Sequence, residues 1–294
     1  MNRTSIVRVF GMATIPFEEL GHFRRIEADL GAGLRGRFIV DTGIGMSVIS
    51  PSLAQRWGLA PSGKTYVGQR MSGQSIEVPL ADLPGFSIGA EVIAPTEAGV
   101  FDLGSDGDVD GILGLDVLGA LPLTIDPARK SLVLGDELRD AQDVVVPVRV
   151  HRDGPAVDMW VDLILPDGTL VEVEIDTGSA ATILNDTMLA ACGAAGTEPI
   201  RVLEGVDETG HSYVRRFIEL RESLHLAADP RAIQQAPTVM FQDIAIPGLI
   251  GTDFLDQWVQ TYDTRDGTLR LRPIDDSTIS TAQHPSLESV PANP

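Results

Sequence analysis

The sequence predicts an all-β protein, mostly strands with a few short helices, built as two homologous lobes with one site between them. Three observations carry this prediction. A fifteen-residue segment from Val171 to Asn185 (VEVEIDTGSAATILN) has an imperfect copy from Gly36 to Ser50 (GRFIVDTGIGMSVIS). Downstream of each copy the same landmarks recur in register, the signature of an internal repeat. Between the landmarks, short apolar runs alternate with polar residues and are broken by Gly, Pro and Asp, which is the pattern of hairpins.

Taken in order, Ile6 to Ile15 is apolar enough for a first strand. His22 to Leu30 gives a second, with Gly31, Gly33 and Gly36 marking the turn. Strand Arg37 to Val40 then delivers a carboxylate, Asp41, to a tight turn that Gly43 permits, because glycine tolerates backbone geometry that other residues resist. Ser50 is a natural helix N-cap, Pro51 suits the first helical position, Leu53 and Trp57 share a face, and Gly58 ends the helix. Tyr66 to Ile93 reads as hairpins with Ser72-Gly73 at a tip. Asp102 to Asp110 is an acidic loop, Gly111 to Gly119 (GILGLDVLG) is apolar, and Leu123 to Leu134 forms a hairpin that turns at Asp126 to Lys130. The second half repeats this order. Asp176 follows Asp41 by 135 residues, and Asn185 and Gly193 keep that offset from Ser50 and Gly58. Beyond them the offset becomes 137, relating Gly210 to Gly73, Gly251 to Gly114, Asp253 to Asp116 and Asp263 to Asp126. The expected division is residues 1–140 for the first lobe, 141–274 for the second, and 275–294 as a disordered tail rich in Ser, Thr and Pro.

Composition narrows the function classes. With 294 residues and 43% hydrophobic content, the chain can build one large or two medium domains with real cores. Its single cysteine, Cys192, excludes an internal disulfide and any cysteine-rich metal site, and suits a reducing compartment. Residues 1–20 lack the uninterrupted apolar core of a secretory signal, and no run reaches the length of a membrane span. A soluble, cytoplasmic protein without a membrane partner is therefore expected. The formal charge of −20 argues against nucleic acid as a partner and favours some attraction for cationic peptides.

With these residues in hand, the sequence resembles the aspartic peptidases over about residues 20 to 273. It carries both Asp-Thr-Gly motifs in one chain, as pepsin-like enzymes do. Each compact lobe looks closer to the retroviral type, in which the motif is followed later by two aliphatics and a glycine, here Ile112-Leu113-Gly114 and Leu249-Ile250-Gly251. The resemblance implies two acid-protease-type β-barrel lobes with the active site between them. It also implies that the aliphatic pair packs against the catalytic turn, in a loop threaded between strands. Asp41 and Asp176 would be the catalytic dyad, Thr42 and Thr177 would cross-link the two turns, and Gly43 and Gly178 would let backbone N–H groups approach the carboxylates. Two carboxyls held close together cannot both ionise cheaply, so the pair keeps one proton. The ionised member then serves as general base toward a water while the neutral member polarises the peptide carbonyl. Neither a metal nor another cofactor is implied. The partner is a peptide or protein substrate, and the monomer is the catalytic unit.

Other residues invite competing readings. Asp116 and Asp253 precede V-L and F-L and are expected as helix N-caps rather than a second carboxyl pair. Trp57 and Cys192 occupy equivalent positions and read as core. Asp106, Asp108 and Asp110 lack the glutamate of a calcium loop, so a solvated acidic loop is expected. Hairpins around Met71-Ser72-Gly73 and Thr209-Gly210-His211 are the expected substrate-covering flaps, although His211 by itself reads as an exposed hairpin residue and the first hairpin lacks the tyrosine of pepsins near its tip. The first turn continues with Ile44 where the second has Ser179. A hydroxyl aimed at Asp176 would favour its ionised form, making Asp176 the general base and Asp41 the proton holder. The reading favoured is an aspartic endopeptidase. The alternative is a catalytically inactive peptide-binding pseudoprotease of the same fold, against which stands the retention of both aspartates. A two-carboxylate sugar hydrolase ranks last, because only 5% of residues are aromatic and Asp-Thr-Gly is foreign to that chemistry.

Overall fold

The computed structural model describes residues 14–104, 107–135, 139–206 and 211–274. Most of the first expected strand, Asp106, Thr209, Gly210 and the C-terminal tail lie outside the described residues. Within them the chain is built from strands joined by three very short α-helices and one 3₁₀ turn. The strands follow from alternation. In Phe23–Gly31 the buried positions are Arg24, Ile26, Ala28 and Leu30, and in Ala156–Ile164 they include Val157, Met159, Val161 and Leu163. Each such aliphatic side chain removed from water contributes on the order of 1.5–3 kcal/mol, which fixes which face of the strand turns inward.

Each half forms a ten-stranded sheet, and the two sheets have the same strand order. In the first, Gly111–Leu113 lies parallel to Leu34–Val40 and antiparallel to Val48–Ile49. In the second, Gly248–Ile250 lies parallel to Leu170–Ile175 and antiparallel to Ile183–Asn185. The aliphatic-glycine element therefore sits between the strand that enters each Asp-Thr-Gly turn and the strand that leaves it, as the resemblance implied. A third, six-stranded sheet takes strands from both halves, in the order Thr14–Pro16, Ser131–Leu134, Leu123–Asp126, Trp258–Asp263, Thr268–Pro273 and Val144–Pro147. The halves meet where Leu123, Thr124 and Ile125 pair with Tyr262, Thr261 and Gln260. Thr124 and Thr261 are repeat mates 137 residues apart, and their hydroxyls meet at 2.9 Å. A residue facing its own repeat mate marks a local two-fold axis. One continuous cluster of buried side chains runs through both lobes.

Several local expectations are met and others corrected. The helix Pro51–Trp57 is capped by Ser50, whose hydroxyl accepts from Leu53 N at 3.1 Å, and it stops at Gly58 in the left-handed region (φ 72°). Its counterpart in the second lobe shrinks to a 3₁₀ turn, Asp186–Met188. There Asn185 is the N-cap, its Oδ1 accepting from both the N–H and the hydroxyl of Thr187. Asp116 and Asp253 are not N-caps. Gly114 and Gly251 hold those positions, while each aspartate is the second residue of its helix, Leu115–Leu118 or Thr252–Leu255. Asp116 accepts from Ser47 N (2.9 Å) and Ser47 Oγ (2.6 Å), and Asp253 from Thr182 Oγ1 (2.9 Å). These carboxyls tie each short helix to the strand that leaves the motif. Asp110 is likewise not a solvated loop residue. It is 4% exposed, accepts from Arg37 N at 2.9 Å and pairs with the guanidinium of Arg56. Cys192 is core; Trp57 is half-buried, packs edge-on against Phe86 and donates its indole N–H to Leu30 O.

Candidate active site

The two Asp-Thr-Gly turns meet at the junction of the lobes. The amide of Asp41 donates to Leu113 O, and that of Asp176 to Ile250 O, each at 3.0 Å. The aliphatic-glycine strand thus sets the height at which each carboxyl emerges. The turns are cross-linked by their threonines. Thr42 N donates to Thr177 Oγ1 and Thr177 N donates to Thr42 Oγ1, both at 3.0 Å. Each hydroxyl then donates onward, Thr42 to Ile175 O (2.7 Å) and Thr177 to Val40 O (3.5 Å). Both threonines are buried, and the reciprocal pattern is a two-fold device that leaves no turn amide unpaired there.

Asp41 and Asp176 face each other across this junction and are within hydrogen-bonding reach. Gly43 N donates to Asp41 Oδ1 at 2.8 Å, and Gly178 N to Asp176 Oδ1 at 2.7 Å. Neither glycine has a positive φ, so left-handed backbone is not the reason for glycine here. The reason is room. A Cβ on Gly43 would lie 2.6 Å from Asp176 Cγ, and one on Gly178 2.5 Å from Asp41 Cγ. Any side chain would push the opposite carboxyl out of place.

Burial raises the pKa of both carboxyls above the ordinary aspartate value, and the two environments differ. Asp41 is opposed mainly by backbone donors, from Gly43, Ile44 and Gly178, which favour its charged form. Asp176 is raised further, by burial and then by the charge of Asp41, with donors from Gly178 and Ser179 working the other way. The two carboxyls titrate as one unit that keeps a proton between them. The assignment drawn from sequence relied on Ser179 as a donor to Asp176. The hydroxyl of Ser179 points away from the dyad and donates to Ala181 O at 2.8 Å, so it gives Asp176 no side-chain donor.

Other groups around the turns were not visible as site residues in the sequence. His22 Nε2 donates to Gly178 O at 2.9 Å, and burial lowers the pKa of its imidazole. Arg24, buried, pairs with Asp256 of the other lobe. Glu174 and Asp158 lie on the strands beside Asp176, and burial raises both, Asp158 to about 6. Glu174 stands two residues before Asp176 in the strand, and only the lobe-to-lobe register reveals which way that face looks.

The hairpin of the first lobe, Pro61–Gln69 and Ser75–Leu83, turns at Arg70 to Gln74. Its tip reaches the second lobe. Ala245 N donates to Met71 O at 2.8 Å, and Met71 packs against the cluster of Ile183, Met240, Ile244 and Leu249. Gly73 at the tip has φ 83°, and a Cβ there would come 3.1 Å from Ala245 Cβ. The second hairpin, Arg201–Val206 and Ser212–Glu219, approaches the first through His211, whose Nδ1 is 3.4 Å from Gln74 Nε2. Among the described residues no group of three or more His, Cys, Asp or Glu side chains is arranged as a metal site, and no helix is long and apolar enough to cross a membrane.

Comparisons with known proteins bear on the fold. Residues 26–117 match the family model described as aspartyl protease. Among curated proteins, none matches the chain. Among solved structures, the chain is similar to the aspartic proteinase from Irpex lacteus, with a TM-score of 0.58 and 16% identity, over 93% of this chain and 100% of that one. At that identity the likeness is one of fold. The chain has the two-lobed, all-β fold of an aspartic peptidase, and its first lobe carries the family's sequence signature.

Proposed function

We propose that this chain, which has the two-lobed fold of the aspartic peptidases, hydrolyses peptide bonds with a water activated by Asp41 and Asp176. The observation that carries the reading is the meeting of two carboxyls at the lobe junction, one better supplied with donors to its charged form than the other. Ionised Asp41 takes a proton from the attacking water. Neutral Asp176 donates its proton toward the carbonyl oxygen, which becomes the second hydroxyl of a tetrahedral gem-diol intermediate. As the C–N bond breaks, the proton held by Asp41 passes to the leaving amine, Asp176 recovers its own, and the dyad returns to one shared proton. All atoms of the water end in the new carboxylic acid and amine. Burial supports this chemistry because it keeps one proton on the pair. Thr42 and Thr177 fix the separation of the turns, and Gly43 and Gly178 leave space for the opposing carboxyl. The hairpin tip at Met71, Ser72 and Gly73, and His211 on the second hairpin, are assigned as parts of lids over a bound peptide.

The test is hydrolysis of a mixed peptide library, assayed with and without pepstatin and with Asp41→Asn in parallel. Cleavage that both treatments abolish is the expected result. Tight pepstatin binding without cleavage across the pH range would make the chain a peptide-binding protein instead. Cleavage that survives Asp41→Asn would remove the dyad from the mechanism.

A further inference from the structure

The second lobe carries two carboxyls that the first lobe lacks. In the antiparallel pair Ala156–Ile164 and Leu170–Ile175, Trp160 stands opposite Glu174. Asp158 is therefore the diagonal neighbour of Glu174 on the same face, and Glu174 shares that face with Asp176, about 7 Å along the strand. The equivalent pair in the first lobe places Arg24 opposite Val40 and Arg25 opposite Ile39. By that register Phe23 stands where Asp158 does, and Ile39 where Glu174 does. The fold tolerates apolar side chains at both positions, so packing does not require the carboxyls.

The surroundings restrict what this pair can do. Asp158 lies opposite His151 of Arg149–Asp153, and His151 stacks on Trp160 with ring centroids 5.6 Å apart. Asp158 also sits against the loop that follows Asp41, since a Cβ on Gly45 would come 3.3 Å from its Oδ1, and Val157 N donates to Gly45 O. Facing the pair are Asp41, Asp116 from the helix Leu115–Leu118, the phenol of Tyr66 from the first hairpin, and His151. Facing Glu174 are Asp158, Asp176 and Asp41. The nearby guanidinium on this face, Arg149, is already engaged by Asp162 and Glu172. Two hydrogen-bonded carboxyls with no Lys or Arg among these neighbours keep one proton between them.

We infer that Asp158 and Glu174 form an auxiliary carboxyl pair whose negative charge holds the neighbouring Asp41–Asp176 dyad in its singly protonated state to a higher pH than the dyad alone would reach. The inference rests on the dyad reading given above. Both residues are positioning residues, acting on the dyad through its electrostatics. Each negative charge beside the dyad opposes loss of the dyad's remaining proton, so the dyad's upper apparent pKa rises. Removing the charge lowers it.

The test titrates the carboxyls by ¹³C NMR on protein labelled at Asp and Glu side-chain carbons, with Asp41→Asn and Asp176→Asn providing the assignments. In the double variant Asp158→Asn/Glu174→Gln the dyad's upper apparent pKa falls by about one unit, and the alkaline limb of kcat/KM falls with it. A second double variant, Asp158→Phe/Glu174→Ile, installs the residues the first lobe uses at these positions and shows the same fall if the first folds poorly. An upper value within about 0.2 units of wild type in a folded double variant overturns the inference. So does an unmoved alkaline limb joined to a rise in KM confined to substrates with Lys or Arg, which would make the pair a reader of substrate charge. The NMR titration needs no turnover, so a chain that cleaves no peptide still answers this question separately.

Discussion

At Asp41 and Asp176, two buried carboxyls share one junction and one proton. Replacing either by Asn removes one half of a proton-sharing unit while preserving shape, so Asp41→Asn and Asp176→Asn each reduce peptide hydrolysis by far more than tenfold with the fold retained by circular dichroism. Residual activity within tenfold of wild type in either would remove that carboxyl from the chemistry. Ser179→Ala is the contrasting case. Its hydroxyl donates to Ala181 O and not to Asp176, so the acid limb of kcat/KM stays where it is, well inside the one-unit shift, worth about 1.36 kcal/mol, that losing a donor to the carboxylate would approach. A limb that moves toward higher pH would show that the hydroxyl turns to Asp176 in solution. The aspartates themselves were legible in the sequence because the motif is duplicated in register. Glu174 was not, because V-E-V-E reads as an alternating strand with one wet face, and nothing local says that the second glutamate on that face looks toward the other lobe.

Among the elements, the paired turns are the most constrained. Thr42→Val deletes an oxygen that accepts from Thr177 N and donates to Ile175 O, leaving two buried backbone groups unpaired at about 1–3 kcal/mol each. The urea midpoint is expected to drop with an unchanged m-value, and Thr42→Ser to restore most of the loss. A Thr42→Val protein as stable as wild type would mean that the cross-link does not hold the lobes. The hairpins make a different prediction. A tight-binding peptidic inhibitor slows amide exchange in Pro61–Gln69 and Ser75–Leu83, and in Arg201–Val206 and Ser212–Glu219; protection of neither pair would end their assignment as lids. The first-lobe helix and the Ser72-Gly73 tip were readable because Ser50, Pro51, Gly58 and Gly73 are strong local signals. In the second lobe Asn185 caps as Ser50 does, its amide oxygen accepting from Thr187 N, but the element it starts closes after one 3₁₀ turn.

Across the molecule, the acidic balance and the buried carboxyls act in the same direction on stability. Asp116 and Asp158 hold their protons to about 6 in the folded chain, against an ordinary aspartate value of 3.8. Over that interval the native state binds more protons than the unfolded one, so stability is greatest on the acid side and declines as pH rises through about 6. The raised values of Asp41, Asp176 and Glu174 extend the decline. Asp167, Asp229 and Asp263 are lowered and act in the opposite sense, but Asp167 is exposed and contributes little. Urea unfolding at about pH 4.5 should therefore give a larger free energy than at about pH 7.5, and Asp116→Asn should flatten the difference; a slope of the reverse sign would contradict the burial of these groups. The two-lobed plan was readable from the constant offset between repeats. The six-stranded sheet that joins the lobes was not, because L-T-I-D reads as one arm of a hairpin and gives no sign that its other edge is filled by Trp258–Asp263. That sheet turns on Thr124 meeting Thr261, the geometry of two identical chains related by rotation. Joining the copies end to end released them from identity, so a feature such as Asp158 and Glu174 occurs once instead of twice or not at all. A peptide has a direction, and a site with identical halves accepts it either way round. With Asp158 and Glu174 on one side and Phe23 and Ile39 on the other, the dyad sits in an uneven field, and the junction acquires a left and a right.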